Sequence, residues 1–224
     1  MIDCVTASNA QHYTNALHQM FQRRHDVFVK ARGWSDLAHD GDIEKDQFDT
    51  DRAVYLLSIR EDGVVCGGLR LLPTTGPHLL SEVFPQFAVD GVPRGPHIYE
   101  MTRYFTIRDR NEPLQMRRVA GELLCAMFEF GLAKNTKWIT TLLDSFYLRR
   151  MRQNNWNEVA LGPAMAYAEG TAIAIKFAVS KKNLESTRLA HGVPGPVLHL
   201  SEPVPWKRRI VASGTAALAH QAAI

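Results

Sequence analysis

The chain has 224 residues, a length that fits one well-packed domain or at most two small ones. It is 46% hydrophobic and 22% charged, an ordinary globular composition, and no apolar run is long enough to span a bilayer. The formal net charge of +3 is too small to imply nucleic acid and is compatible with an acidic partner or a phosphorylated cofactor. The start, Met1-Ile2-Asp3-Cys4, lacks a basic stretch followed by an apolar core, so no signal peptide is expected. Cys4, Cys66 and Cys125 are widely spaced and form no metal pattern; they read as structural thiols of a cytoplasmic protein.

In chain order, residues 2–6 suggest a short strand. Ser8 followed by Gln11 has the form of a capping box opening a helix. Its apolar stripe is Tyr13, Leu17, Met20, Phe21, Val27, Phe28 and Ala31, with Gly33 as the stop. Arg24 falls on that same stripe. Residues 35–51 are polar, acidic and rich in turn formers, a loop long enough to be functional or mobile. Residues 53–60 and 64–72 read as strands joined by a hairpin at Glu61-Asp62-Gly63. Residues 73–96 form a loop with a helical turn around 79–84, and 98–107 a strong strand. Asn111 and Pro113 open a helix with a stripe of Met116, Val119, Ala120, Leu123, Leu124, Met127 and Phe130. A strand at 138–143 and a basic helix at 145–153 follow. Residues 158–161 and 164–179, broken near Glu169-Gly170, suggest further strands, and 181–191 a helix. The end, from Ser213-Gly214, has no clear period and is expected to fray. Strands interleaved with helices, with at least one hairpin, imply an α/β protein: a single-domain three-layer α/β/α sandwich around a mixed sheet.

The chemistry is concentrated where charges interrupt apolar patterns. Arg24 lies on the helix stripe, Asp46 and Asp49 in the acidic loop, and Arg70 in the apolar run Gly67-Gly68-Leu69-Arg70-Leu71-Leu72. Burying an unpaired charge is costly, so these residues need partners. Arg24 either snorkels to water or binds an anion. Arg70 either makes a structural ion pair or serves a site, and its adjacent glycines allow a close approach to the backbone. In Glu100-Met101-Thr102-Arg103 a regular strand puts Glu100 and Thr102 on one face and Arg103 on the other; a β-bulge would re-aim one of them. A buried Glu100 would have a raised pKa and could accept a proton; the alternative is that it only pairs with an arginine. Phe28 and Trp34 serve either the core or a heteroaromatic or sulfonium ligand. Arg149, Arg150 and Arg152 form either a solvated face or a docking surface for an acidic carrier.

The ordered set Arg24-x-x-x-Phe28, Trp34, Asp46-x-x-Asp49, Arg70, Phe84 and Glu100-x-x-Arg103 resembles the acyl-homoserine-lactone synthase family, the autoinducer synthases of bacterial quorum sensing. The resemblance runs from about residue 20 to about 180 and includes Thr140-Thr141 and Asn155-Trp156…Leu161-Gly162-Pro163. It implies a twisted, GNAT-like sheet over residues 1–224. A mobile region for S-adenosylmethionine would occupy about 1–50 and a tail about 206–224. The implied reaction transfers an acyl group from acyl carrier protein or acyl-CoA to the amine of S-adenosylmethionine, then closes the lactone with release of methylthioadenosine. Both are substrates, so no cofactor or metal is expected. Glu100 is the implied base, with Arg70 and Arg103 beside it; Arg24, Phe28, Trp34, Asp46, Asp49 and Arg103 would bind S-adenosylmethionine. Met101, Thr102, Met127, Thr141 and Leu143 would line the acyl side. One departure stands out. The nearest match to the GNAT pyrophosphate motif, Arg118-Val119-Ala120-Gly121-Glu122-Leu123, ends in leucine and falls inside a helix. A GNAT-type N-acetyltransferase and a non-catalytic carrier- or ligand-binding module are the alternative readings.

Overall fold

The computed structural model describes residues 1–34, 37, 41–107, 113–168 and 170–200. Its sheet has the order β6 (Val159–Ala160), β8 (Gly170–Ala178), β5 (Trp138–Asp144), β4 (Ile98–Thr106), β3 (Val65–Pro73), β2 (Val54–Ile59), β1 (Ile2–Val5) and β9 (Leu198–His199), with β7 (Met165–Tyr167) also paired to β8. The β4–β5 and β1–β9 pairs are parallel, and the remaining pairs are antiparallel.

Strand alternation sorts the side chains onto two faces. On one face, α3 (Pro113–Ala133) and α5 (Lys181–His191) enclose Leu56, Leu69, Leu71, Met101, Leu123, Met127, Ile139, Ile175 and Phe177. Gly121 lets these two helices approach: a Cβ there would sit 2.4 Å from the His191 Cβ. The glycine of the GNAT-like stretch therefore serves helix packing. On the other face, α1 (Thr14–Arg24) and a π-helix (His25–Ala31) cover Tyr55, Leu57, Leu72 and Phe105. The short α2 (Leu79–Glu82) and a 3-10 turn (Pro85–Phe87) cover the end nearest β8, and α4 (Ser145–Arg152) follows β5 directly. Helices on both faces of a mixed sheet make the expected three-layer sandwich.

The first helix departs from expectation. Ser8 makes no cap; its hydroxyl pairs with Thr6, and Asn9 Oδ1 accepts from the Thr6 N–H instead. A 3-10 turn (Ala10–His12) precedes α1, and the seven residues that carry the end of the stripe, His25–Ala31, wind as a π-helix, a wider turn that recurs at functional sites. The parallel strand β9 was not anticipated. Asn111, Glu169 and the tail from residue 201 lie outside the described residues, as do 35, 36 and 38–40 of the acidic loop.

Candidate active site

Three buried arginines converge from three elements onto one stretch of loop. Arg24, at the end of α1, donates from Nε to Glu44 at 2.5 Å and from both Nη atoms to Asp49 at 2.8 and 2.9 Å. Arg70, on β3, donates to both oxygens of Asp46 at 2.6 and 3.0 Å and to Thr102 Oγ1 at 3.0 Å. Arg103, on β4, reaches Glu44 at 3.1 Å and Asp46 at 2.9 Å. Tyr55 on β2 donates to Asp49 at 2.8 Å. Three cations thus meet three carboxylates, and fork-to-fork geometry offsets the desolvation of each. Burial alone would raise the Asp49 carboxyl, but Arg24 and Arg70 overcome it and hold the group well below the usual carboxylate range. Arg24 does not snorkel: it is buried and paired. Glu44, only 1% exposed, completes the network and was not anticipated.

A bulge aims Arg103 into this network. Thr102 opposes Arg70 and Phe105 opposes Gly68, so Arg103 and Tyr104 together face Leu69. Arg103 takes the left-handed conformation, φ +53°, which few residues other than glycine adopt. The extra residue turns its side chain to the Thr102 face, where Asp46 lies. The glycines before Arg70 admit protein rather than ligand: a Cβ on Gly67 would lie 2.9 Å from Phe105 O and Val119 Cγ1.

Glu100 is fully buried and, among the described residues, pairs with no arginine side chain. Its oxygens accept the Leu79 and Leu80 N–H groups at 2.8 and 2.7 Å, at the open end of α2. Burial raises its pKa to about 7, although those N–H groups and Arg70 and Arg103 pull the other way. Glu100 is also the last residue of β4 paired to β5, opposite Thr140. Beyond that rung the two parallel strands continue, to Thr106 and Asp144, without pairing. A notch opens there in the middle of the sheet, with the Glu100 carboxyl and the Thr140 hydroxyl at its closed end. Thr140 Oγ1 is buried and has no hydrogen-bond partner among the described residues.

The anticipated acyl-side residues divide across the sheet. Met101 and Met127 join the cluster under α3, Leu143 packs against it, and Thr141 shares their face. Thr102 lies on the opposite face, bound by Arg70. Phe28 and Trp34 stack at 5.0 Å with planes 20° apart, and the Arg103 guanidinium lies 5.6 Å from the Phe28 ring. Phe84 meets Phe87 and Tyr167 edge-on. Trp156 is core, its indole N–H bonded to Thr187. Arg149, Arg150 and Arg152 are exposed on the last turn of α4, and Arg152 pairs with Glu158. Burial pushes the Cys4 thiol up to about 11 and Cys125 to about 12, as suits structural thiols. Among the described residues no helix is long and apolar enough to cross a membrane, and no cluster of histidine, cysteine and acidic residues is arranged to hold a metal ion.

Comparison with known proteins agrees with this architecture. A solved structure described as a CoA-dependent acyl-homoserine lactone synthase, MesI, is 36% identical, covers 90% of this chain and 100% of its own, and superposes with a TM-score of 0.80. A second, BjaI, described as CoA-dependent and solved with S-adenosylmethionine and isopentyl-CoA, is 30% identical over 94% and 99% of the two chains with a TM-score of 0.83. An N-acetyltransferase from Lactobacillus plantarum shares only the fold, at 16% identity, 80% and 99% coverage and a TM-score of 0.51. The isovaleryl-homoserine lactone synthase of Bradyrhizobium diazoefficiens is 33% identical over 88% of each chain. The family model described as autoinducer synthase matches residues 8–187, and on these grounds the chain belongs to the autoinducer synthase family.

Proposed function

We propose that this chain is an N-acyl-homoserine lactone synthase that acylates the amine of S-adenosylmethionine and lactonises the product with release of methylthioadenosine. The observation that carries the reading is Glu100: a buried carboxyl with a pKa raised to about 7, fixed by two backbone N–H groups at the closed end of the β4–β5 notch. A base must be deprotonated at working pH yet strong enough to take a proton from an ammonium or amine, and a value near neutrality meets both needs. Glu100, directly or through one water, deprotonates the attacking amine. The amine then adds to the thioester carbonyl, and the thiol leaves with a proton. In the second step the methionine carboxylate displaces methylthioadenosine from the carbon next to the sulfonium, closing the ring.

In this reading Arg24, Arg70, Arg103, Asp46 and Asp49 act as a unit. Every carboxylate is already paired with an arginine, so the network shapes the S-adenosylmethionine site more than it supplies loose charges to it. Phe28 and Trp34 offer aromatic faces to the sulfonium or the adenine. Met101, Met127, Thr141 and Leu143 line the acyl side; Thr102 positions Arg70. The donor is acyl-CoA: the relatives at 36% and 30% identity are described as CoA-dependent, and exposed Arg149 and Arg150 suit a phosphorylated nucleotide. No further cofactor enters these steps, and the substrates place the enzyme in the cytoplasm. The test is a mass-spectrometric product assay with S-adenosylmethionine and a panel of acyl-CoA and acyl-carrier thioesters. Acyl-homoserine lactone appearing with methylthioadenosine is the expected outcome. Acylation of another amine with S-adenosylmethionine untouched would replace this reading with a general acyltransferase.

A further inference from the structure

Helix α4 leaves the sheet at the open end of the β4–β5 notch. β5 runs from Thr140, at the closed end, to Asp144, and α4 starts at the next residue, Ser145. Four residues of strand rise about 13 Å, so a thioester whose carbonyl lies at Glu100 carries the far end of its arm out beside α4. Three side chains of that helix are exposed on one face: Phe146, Arg149 and Arg150, at the i, i+3 and i+4 positions that stand together on a helix surface. Phe146 is 69% exposed, and no other aromatic residue among the described ones exceeds 36%. Its ring rests on Tyr147, with centroids 4.1 Å and planes 36° apart, and Arg32 holds the Tyr147 hydroxyl at 2.9 Å. At that exposure the other face of the Phe146 ring is open to a ligand. Arg149 and Arg150 pair with no carboxylate among the described residues, whereas Arg152 pairs with Glu158. Burial raises the Tyr104 phenol and lowers the His191 ring, and the Arg150 charge bears on both, so its guanidinium stands where α4, β4 and α5 meet.

An open aromatic face beside two unpaired guanidiniums is the complement of an adenine nucleotide. The base stacks on the ring, and the phosphates take the arginines. We infer that Phe146 is the platform for the adenine of coenzyme A, with Arg149 and Arg150 on its phosphates, so that this face of α4 reads the nucleotide end of the acyl donor. This rests on the acyl-CoA donor proposed above and adds the residue that recognises it. The thioester end permits no such reading, because acyl-CoA and acyl carrier protein present the same phosphopantetheine arm there. An acidic carrier brings carboxylates for the arginines and no base for Phe146. Two arginines alone would attract either donor, so the choice between them falls to the ring.

The test is calorimetric titration of the full chain with coenzyme A, with 4′-phosphopantetheine, which lacks the adenine nucleotide, and with holo acyl carrier protein. Phe146→Ala should weaken coenzyme A by about 5- to 30-fold and leave phosphopantetheine and S-adenosylmethionine within about twofold. Phe146→Trp returns a ring face and should restore the affinity. Arg149→Gln and Arg150→Gln should each weaken coenzyme A by about 3- to 10-fold and flatten its salt dependence. All three side chains are exposed, so the variants should keep the wild-type melting temperature. Unchanged coenzyme A affinity in Phe146→Ala, or equal loss of coenzyme A and phosphopantetheine, would overturn the platform. A loss confined to the holo carrier would make this face a carrier dock and overturn the nucleotide assignment. The product assay described above judges the function separately: a chain that binds coenzyme A through Phe146 yet leaves S-adenosylmethionine untouched would keep this site and remove the proposed function.

Discussion

Two carboxylates in this site do opposite things because of what surrounds them. Glu100 is held by N–H groups alone, and burial dominates, so it titrates near 7; Glu44 lies between two guanidiniums and serves as a structural counter-ion. As the free-enzyme base, Glu100 should make kcat/KM rise with pH through about 7, read as methylthioadenosine release. Glu100→Gln should lower turnover by about 10²- to 10⁴-fold while S-adenosylmethionine affinity stays within a few-fold. Wild-type turnover in that variant, or a flat profile between pH 6 and 8, would exclude the role. Glu44→Gln removes the charge shared by Arg24 and Arg103. Breaking a buried pair on one side costs about 3–5 kcal/mol, which urea unfolding would measure. A cost below about 1 kcal/mol would show that Asp46 and Asp49 suffice. The acidic loop marks none of its carboxylates as special, which is why Glu44 could not be singled out from sequence while Asp46 and Asp49 could, through the family spacing.

At the scale of elements, periodicity was legible and its defects were not. The hairpin between β2 and β3, the strand β4 and the helix α3 follow from alternation and helical stripes, and the structure has them within a residue or two at most ends. The π-helix is invisible because Val27, Phe28 and Ala31 satisfy helical spacing about as well as they satisfy the wider turn. The bulge was legible only as a possibility: Arg103 sat on the wrong face for its charge, and one extra residue corrects it. That correction needs β3 and β4 in close register beside α3, which Gly67 permits. Gly67→Ala would put a Cβ 2.9 Å from Phe105 O and Val119 Cγ1, so the strand pair must part. The expected loss is about 1–3 kcal/mol of stability, with a further drop in activity as Arg103 loses its aim. Full activity in a destabilised Gly67→Ala chain would uncouple the bulge from the site.

Across the whole molecule, the site is also a fastening. Arg24, Tyr55, Arg70 and Arg103 tie α1, β2, β3 and β4 to one loop through Glu44, Asp46 and Asp49. The sequence announced that such charges must find partners but could not say which, since pairs such as Arg103 and Glu44 lie 59 residues apart and meet only through tertiary packing. The pH dependence of stability follows from these pairs, with the sign set by each shift. Glu100, raised in the folded chain, stabilises fully below its ordinary value near 4.5 and loses that contribution as pH rises through about 7. Asp49, depressed by Arg24 and Arg70, contributes above its ordinary value near 3.8 and loses that contribution as pH falls through the depressed one. Asp49→Asn separates the two limbs. It should be less stable than wild type at pH 6, because Arg24 and Arg70 lose a partner, and its stability should fall less steeply from about pH 4 to pH 2.5. Urea midpoints over that range decide the matter. Parallel slopes would mean that the carboxylates of the acid limb lie elsewhere, and that the network fastens the fold without setting its tolerance of acid.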